Sequence, residues 1–266
     1  MRDQAITSRD NSLIKRARAV RDGKVRDLIF IEGVRLAEEA ARSALSIADV
    51  LYTERLAQDE RGKQLLRALN KRAARITPVS ERVLASVADT KTPQGIVVLA
   101  QRPDTAPYEM VSNPLIVIMH RINNPSNAGA ILRAAEAAGA TLLLSTTGST
   151  DLFSPKALRG AMGSTFRLPI REGVSFSDAL YWCAERGIRT VSTAADSARA
   201  YTEINWTTPH ALIVGEEGAG LERDEIEAAD VTVRIPMRAP VKSLNVAVAT
   251  AIVLYEAARQ RGFRNG

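Results

Sequence analysis

Ile235-Pro236-Met237, followed after a short connector by Ser243-Leu244-Asn245-Val246, decides how this chain is read. Proline has no N–H to give to a sheet ladder, so Ile235-Pro236 ends a strand. Ser243 then stands where a helix N-cap belongs, with its hydroxyl available to the free N–H groups of a first turn. From Leu244 to Arg261 the residues are mostly Ala, Val, Leu, Ile and Glu, with basic residues near the end as the helix dipole favours. The pattern predicts one strand, one tight loop and one helix with Ser243 and Asn245 at its mouth. In isolation Ser243 reads equally well as a plain cap and Asn245 as a first-turn residue. Two further loops of similar character tip that balance.

Upstream of this stretch, Leu115-Ile116-Val117-Ile118-Met119 is an apolar run expected of a strand buried on both faces. The loop from His120 to Ser126 leads into a helix expected from about Asn127 to Ala138 and ended by Gly139. Strands are expected at 141–145, 188–193, 210–214 and 231–235, with helices at 177–186 and 222–228 and a short helix opened by Ser154-Pro155. This is a mostly parallel α/β sheet, in which ligands sit beyond the carboxyl ends of the strands. Earlier in the chain, strands at 27–32, 48–52 and 95–99 alternate with helices at 11–20, 34–42 and 61–74, a small α/β domain of its own. The composition changes at Gln101 to Ser112, where Pro103 and Pro107 mark a linker. The expected domains are therefore residues 1–105 and 106–266.

Composition narrows the class. The 266 residues are 45% hydrophobic and 25% charged, as in an ordinary globular protein. The single Cys183 excludes a disulfide framework within the chain, and with only His120 and His210 beside it no typical zinc site is expected. Residues 1–20 are polar and basic with no apolar core, and no apolar run is long enough for a membrane span, so a cytoplasmic protein is expected. The net charge of +6 is uneven. Residues 1–105 hold 20 Lys and Arg against 14 Asp and Glu, and the rest of the chain is balanced. Most of the surplus lies in the first 26 residues, where Arg2, Arg9, Lys15, Arg16, Arg18, Arg21, Lys24 and Arg26 face three acids. A solvated basic face is the plain reading; a nucleic-acid footprint is the stronger one. With only Phe30 and Tyr52 as aromatic residues in this part, phosphate contacts rather than base stacking are expected.

Three strand-end loops are chemically unusual. The first, Asn123-Asn124-Pro125-Ser126-Asn127-Ala128-Gly129, feeds the helix that carries Arg133. Arg133 read by itself is an ordinary helix arginine, and it shares a face with Asn127 only if Asn127 is a cap pointing forward. The second, Gly215-Glu216-Glu217-Gly218-Ala219-Gly220, is glycine-rich but lacks the G-x-G-x-x-G order of a dinucleotide site. The third is the Ser243–Asn245 opening.

Together these motifs, N-x-x-x-x-x-R, G-x-E-x-x-G-L and I-P-M…S-L-N-V, resemble the SpoU/TrmH family of RNA ribose 2′-O-methyltransferases, within the SPOUT class. Ser154-Pro155-Lys156 with Arg159 and Gly163 is similar to that family's intermediate motif. The basic N-terminal helix, Lys24-x-Arg26 and Phe30-Ile31-Glu32-Gly33 resemble its substrate-binding domain, akin to ribosomal protein L30e. The resemblance spans the whole chain. It implies a C-terminal parallel sheet with a deep trefoil knot, and a homodimer that completes the active site. It assigns Asn127, Arg133, Glu217, Ser243 and Asn245 to catalysis and RNA positioning. It implies S-adenosylmethionine as cofactor, held around Gly215, Ile235 and Leu244 with Met237 and Thr193. Lys15, Arg16, Arg18, Lys24 and Arg26 are the expected RNA contacts, no metal is implied, and an added N-terminal domain favours ribosomal RNA over tRNA. Departures from the family pattern are His120 for Asp, Ala239 for Gly and Ala247 for Ser, none of them among the five polar residues. A non-catalytic RNA- or ribosome-binding protein on the same fold and an ordinary doubly wound nucleotide-binding enzyme are the rival readings.

Overall fold

A computed structural model describes residues 5–104, 109–218 and 220–263; Arg2, Pro107 and Ala219, used above, lie outside the described residues. The chain forms two compact units, Met1–Asp104 with Phe153–Arg167, and Thr105–Leu152 with Leu168–Gly266. A single boundary after residue 105 does not anticipate that 153–167 packs with the first unit.

In the first unit the elements are α1 (Ser12–Arg21), β1 (Leu28–Glu32), α2 (Val34–Arg42), β2 (Ile47–Tyr52), α3 (Glu54–Gln58), α4 (Glu60–Asn70), β3 (Ala73–Pro78), α5 (Glu81–Val87) and β4 (Ile96–Gln101). The strands make a sheet in the order β1-β4-β2-β3, with β4 antiparallel to both neighbours and β2 parallel to β3. Asn11 caps α1 by accepting from the Leu13 N–H at 2.9 Å, and Ser80 caps α5. These helices bury Leu13, Ile14, Ala17, Val20, Val83, Leu84 and Val87 against Phe30, Leu51, Val97 and Leu99. Two expectations are corrected. The helix expected over 61–74 ends at Asn70, and Ala73–Pro78 is a strand. Ala73-Ala74 suits a helix by propensity, but pairing with β2 overrides it.

The second unit follows as β5 (Leu115–Met119), α6 (Pro125–Ala137), β6 (Leu142–Thr146), then α7 (Pro155–Ala161) within the segment that belongs to the first unit, then β7 (Ile170–Val174), α8 (Phe176–Ala184), β8 (Arg189–Thr193), β9 (His210–Val214), α9 (Arg223–Glu227), β10 (Val231–Val233) and α10 (Val246–Gln260). Its sheet runs β10-β8-β9-β5-β6-β7, and every neighbouring pair is parallel. β5, β6 and β9 are buried along their whole length, which explains their continuous apolar runs. Ala179 and Cys183 of α8 pack with Ile116, Leu144 and Ile213, while α10 packs against α6 and β9. Because all six strands point one way, the loops after β5, β9 and β10 emerge at the same edge. Strand β10 is shorter than the expected 231–235, and Pro236 lies beyond it. No helix among the described residues is long and apolar enough to cross a membrane.

Candidate active site

The α10 helix begins at Val246, not at Leu244, and its cap is Asn245, not Ser243. The Asn245 Oδ1 accepts from the Ala247 and Val248 N–H groups at 3.0 and 3.3 Å. Asparagine and serine cap equally well; the path of the connector selects the residue that lies nearest the other loops. Ser243 is left exposed in the connector with no hydrogen bond from its side chain among the described residues.

The loop after β5 delivers Asn127. Asn124 caps α6, its side chain accepting from Ser126 N–H at 2.9 Å, and Pro125 opens the first turn, so Asn127 is already helical. Its Nδ2 donates to Glu217 Oε1 at 2.9 Å, and the Asn245 Nδ2 donates to Asn127 Oδ1 at 3.1 Å. Three turns separated in sequence are thus joined side chain to side chain. Glu217 also accepts from the backbone N–H groups of Asn123 and Asn124, both at 3.2 Å, and Asn123 Nδ2 donates to Glu216 at 3.0 Å. Burial pushes the Glu217 carboxyl up, but these donors outweigh it and hold it below the ordinary value.

The glycine loop is shaped by sterics. A Cβ on Gly215 would sit 2.6–2.8 Å from backbone atoms of Gly220 and Leu221, so the turn closes only on glycine there. Gly220 N–H completes it by donating to Glu216 O at 2.9 Å.

Thr193, Ile235, Met237, Ser243 and Leu244 line one cavity of about 150 Å³, together with Ala194, Ala195, Val233, Lys242 and Ala249. Gly215 is not part of that lining. The residues present fit a sulfonium nucleoside. Met237 and Leu244 offer apolar walls for a purine, the alanines leave backbone accessible, and Thr193, Ser243 and Lys242 offer hydroxyls and a cation for polar groups.

Arg133 stands apart from this cluster. It is exposed, with no hydrogen bond or ion pair among the described residues. Six positions along α6 turn it about 120° away from Asn127.

Support beneath the β5 loop escaped the sequence reading. His120 is buried, with Nδ1 3.0 Å from Thr146 Oγ1 and Nε2 2.9 Å from Glu225 Oε1. Arg121, at a φ of 53°, places its guanidinium 2.9 Å from Glu225 and 3.2 Å from Glu222. Burial raises the Glu225 carboxyl, yet the Glu222 N–H, His120 and Arg121 bring it below its ordinary value. His120 and Glu225 thus hold each other inside the fold. Only the pairing of a lone histidine with the acid-rich turn 222–227 could have signalled this.

The basic residues of the first unit fare differently. Arg16 Nη1 lies 3.2 Å from the buried carboxylate of Asp49, which also pairs with Arg75 at 3.2 Å. Arg18 donates to the Ser86 hydroxyl and carbonyl at 2.8 and 3.2 Å. Lys15 pairs loosely with Asp10 at 3.4 Å, both exposed. Lys24 and Arg26, in the turn before β1, are exposed and without partners among the described residues. Among these residues no group of His, Cys, Asp and Glu could hold a metal ion.

Known proteins agree with this architecture. Residues 114–255 match the SpoU rRNA Methylase family and residues 11–98 the MRM3-like substrate binding domain. The chain is 31% identical over 258 residues to the 23S rRNA (guanosine(2553)-2′-O)-methyltransferase RlmP of Bacillus subtilis, covering 94% of this chain and 97% of that one. It is 30% identical over 219 residues to the 23S rRNA (guanosine-2′-O-)-methyltransferase RlmB of Ralstonia nicotianae, covering 80% and 88%. Among solved structures, an RNA 2′-O ribose methyltransferase superimposes with a TM-score of 0.85 at 33% identity, covering 97% of this chain and 99% of the other. The rRNA methyltransferase of Sinorhizobium meliloti with AdoMet bound gives 0.84 at 28% identity, covering 96% and 97%. The chain belongs to the SpoU rRNA methylase family.

Proposed function

We propose that the protein transfers a methyl group from S-adenosylmethionine to a ribose 2′-hydroxyl of 23S ribosomal RNA. The observation that carries this reading is the joining of Glu217, Asn127 and Asn245 at the sheet edge. The ribosomal target is favoured by the relatives, which are 23S rRNA guanosine 2′-O-methyltransferases over nearly the same length. The substrate-binding match at residues 11–98 supports RNA as the ligand of the first unit. A ribosomal target is met in the cytoplasm, where the protein would work.

S-adenosylmethionine supplies an electrophilic methyl group, so the hard chemistry is the cofactor's. The chain's own residues have to hold the 2′-oxygen in line and let its proton leave. Fixing both reactants contributes roughly 7–11 kcal/mol toward the barrier. Thr193, Ile235, Met237 and Leu244 hold the cofactor; Ser243 and Asn245 orient the ribose. Glu217, which accepts three hydrogen bonds and is held below its ordinary value, fixes the loops and does not take the proton. Arg133 offers a fork of donors and no acceptor, so its role is to bind the flanking phosphate and stabilise the developing alkoxide. Its exposure and its direction on α6 fit service to the site of a second copy, in a homodimer. The C-terminal segment after β10 is where a trefoil knot would be threaded. RNA phosphates are met first by the exposed Lys24, Arg26 and Lys15, since Arg16 and Arg18 are engaged within the fold.

The test is to map ribose methylation in 23S rRNA by mass spectrometry from cells with and without the protein. Loss of one 2′-O-methyl group with the gene, and its return on incubation with purified protein and cofactor, is the expected result. An unchanged ribosomal map with one tRNA ribose unmethylated would move the target to tRNA. Cofactor-free RNA binding with no methylation anywhere would leave a binding protein only.

A further inference from the structure

The sheet of the second unit carries another cavity, built where β8 and β9 begin. Arg189 and His210 are the first residues of those strands and are partners in the parallel register. Register partners project from the same face of a sheet, on strands about 4.8 Å apart. The crossover from β8 back to β9 brings Arg199, Glu203, Asn205 and Thr208 to them, and together they line a cavity of about 390 Å³. The Arg199 backbone is itself fixed, its carbonyl accepting from the Arg234 N–H at 2.8 Å. Since all six strands run one way, Arg189 and His210 stand at the edge opposite the three loops of the candidate active site.

The cavity has cationic donors to spare and its acids are engaged. Neither the Arg189 nor the Arg199 guanidinium makes a hydrogen bond or ion pair among the described residues. Glu203 is the carboxylate in the lining, and its Oε1 accepts from the Ala200 N–H at 2.9 Å. Nearby Asp230 accepts through Oδ2 from the Thr190 N–H and hydroxyl, both at 2.7 Å. His210 is only 2% exposed, and its Nδ1 lies 2.8 Å from the Thr208 carbonyl oxygen. That oxygen can only accept, so Nδ1 carries a proton. The Nε2 of His210 has no hydrogen bond among the described residues. A buried ring nitrogen without a partner is costly, and it calls for a group from outside the fold.

We propose that this cavity binds a phosphate group, with Arg189 and Arg199 donating to its oxygens and His210 Nε2 as the third contact. Guanidinium forks match the geometry of phosphate oxygens and are less strongly hydrated than an ammonium. A neutral His210 accepts from a phosphate hydroxyl, and a protonated one donates to a phosphate oxygen. Burial holds the imidazole below its ordinary value, helped by Arg261 at the end of α10 and by Arg189, against the pull of the Thr208 carbonyl and Asp230. Arg199 and Glu203, from the crossover, oppose each other in the same lining. A bound dianion reverses the bias on His210, so anion binding and proton uptake strengthen each other. The site does not depend on methyl transfer, and it stands whether or not the protein modifies RNA.

The chain has two histidines, so imidazole NMR signals report on the cavity directly. The His210 signal, identified by its loss in His210→Gln, would be followed in the full chain as inorganic phosphate is added at constant ionic strength. A shift that saturates at millimolar phosphate is the expected result. Sulfate, which keeps both charges across the imidazole titration, should raise the His210 pKa. Its affinity should increase as the pH falls, by at most about 10-fold per pH unit for one linked proton. Arg189→Gln/Arg199→Gln should weaken phosphate binding roughly 10-fold or more. The thermal midpoint of that variant in phosphate-free buffer should stay near the wild type, since both side chains are exposed and unpaired. A short RNA without a terminal phosphate that moves the His210 signal at lower concentration than inorganic phosphate assigns an RNA backbone phosphate. A response to inorganic phosphate alone assigns a free anion or small phosphate ester. A His210 signal unmoved by both anions would overturn the site, and so would equal phosphate affinities for the wild type and the double arginine variant.

Discussion

The loop edge of the second unit and helix α1 of the first carry residues that look equally functional in sequence, yet their side chains are used in opposite ways. At the edge, Glu217, Asn127 and Asn245 bond to one another across three loops and keep donors free. On α1, Arg16 and Arg18 turn back onto Asp49 and Ser86 of their own unit. The edge is organised before any ligand arrives, whereas much of the basic helix serves to hold its own domain together. Residue type announces that a charge exists; only its partners say whether it is available.

The strongest way to break this contrast is at Arg133, an exposed site residue with no hydrogen bond or ion pair among the described residues. Arg133→Lys should lower methyl transfer by roughly 10²- to 10³-fold, the usual cost of removing one donor to a developing oxyanion. Cofactor affinity, measured by isothermal titration, should be unchanged. Unaltered turnover would take Arg133 out of the mechanism.

Within the first unit the contrast predicts a split between two pairs of basic residues. Lys24→Ala/Arg26→Ala should weaken RNA binding, and each lost contact should flatten the logarithmic salt slope by about 0.7 on a single-stranded target. Folding stability should not change. Arg16→Ala/Arg18→Ala should act the other way, lowering stability by about 1 kcal/mol through lost hydrogen bonds and packing, with a smaller effect on the salt slope. Equal salt slopes for the two pairs would show that partners do not decide availability here.

The sequence carried the parallel sheet because β5, β6 and β9 are buried on both faces and read as unbroken apolar runs. It carried the three loops because each sets polar residues, Asn127, Glu217 and Asn245, in a motif order beyond an expected strand. It could not choose between Ser243 and Asn245 as the cap, since both types serve and the choice depends on where the connector runs. Strand β3 was hidden because Ala73-Ala74-Arg75 favours helix and its residues are only partly buried. The Arg18–Ser86 and His120–Glu225 pairings span 68 and 105 positions, and nothing local marks them.

The smallest effect expected is a pH dependence of the second unit's stability that owes nothing to the site. His210 is buried, and burial holds its imidazole below the ordinary value despite the 2.8 Å contact of Nδ1 with the Thr208 carbonyl. The unfolded chain therefore takes up a proton that the folded chain refuses. Stability contributed by neutral His210 is present above about pH 6.5 and declines as the pH falls below it. Urea unfolding between about pH 5 and 8 should show this slope, and His210→Gln should reduce it. A slope unaffected by the substitution would assign it to other groups.

The central claim is that each active site joins the three loops of one chain with Arg133 of its partner, and mixing two inactive variants tests it most directly. Arg133→Ala and Asn245→Ala proteins would be unfolded together, refolded together and assayed for methyl transfer. Random pairing of the two chains in a twofold dimer should restore about a quarter of the wild-type sites, because each mixed dimer then holds one site with both lesions and one with neither. A refolded mixture no more active than its parents would place Arg133 in the same chain as the loops, or outside the reaction altogether.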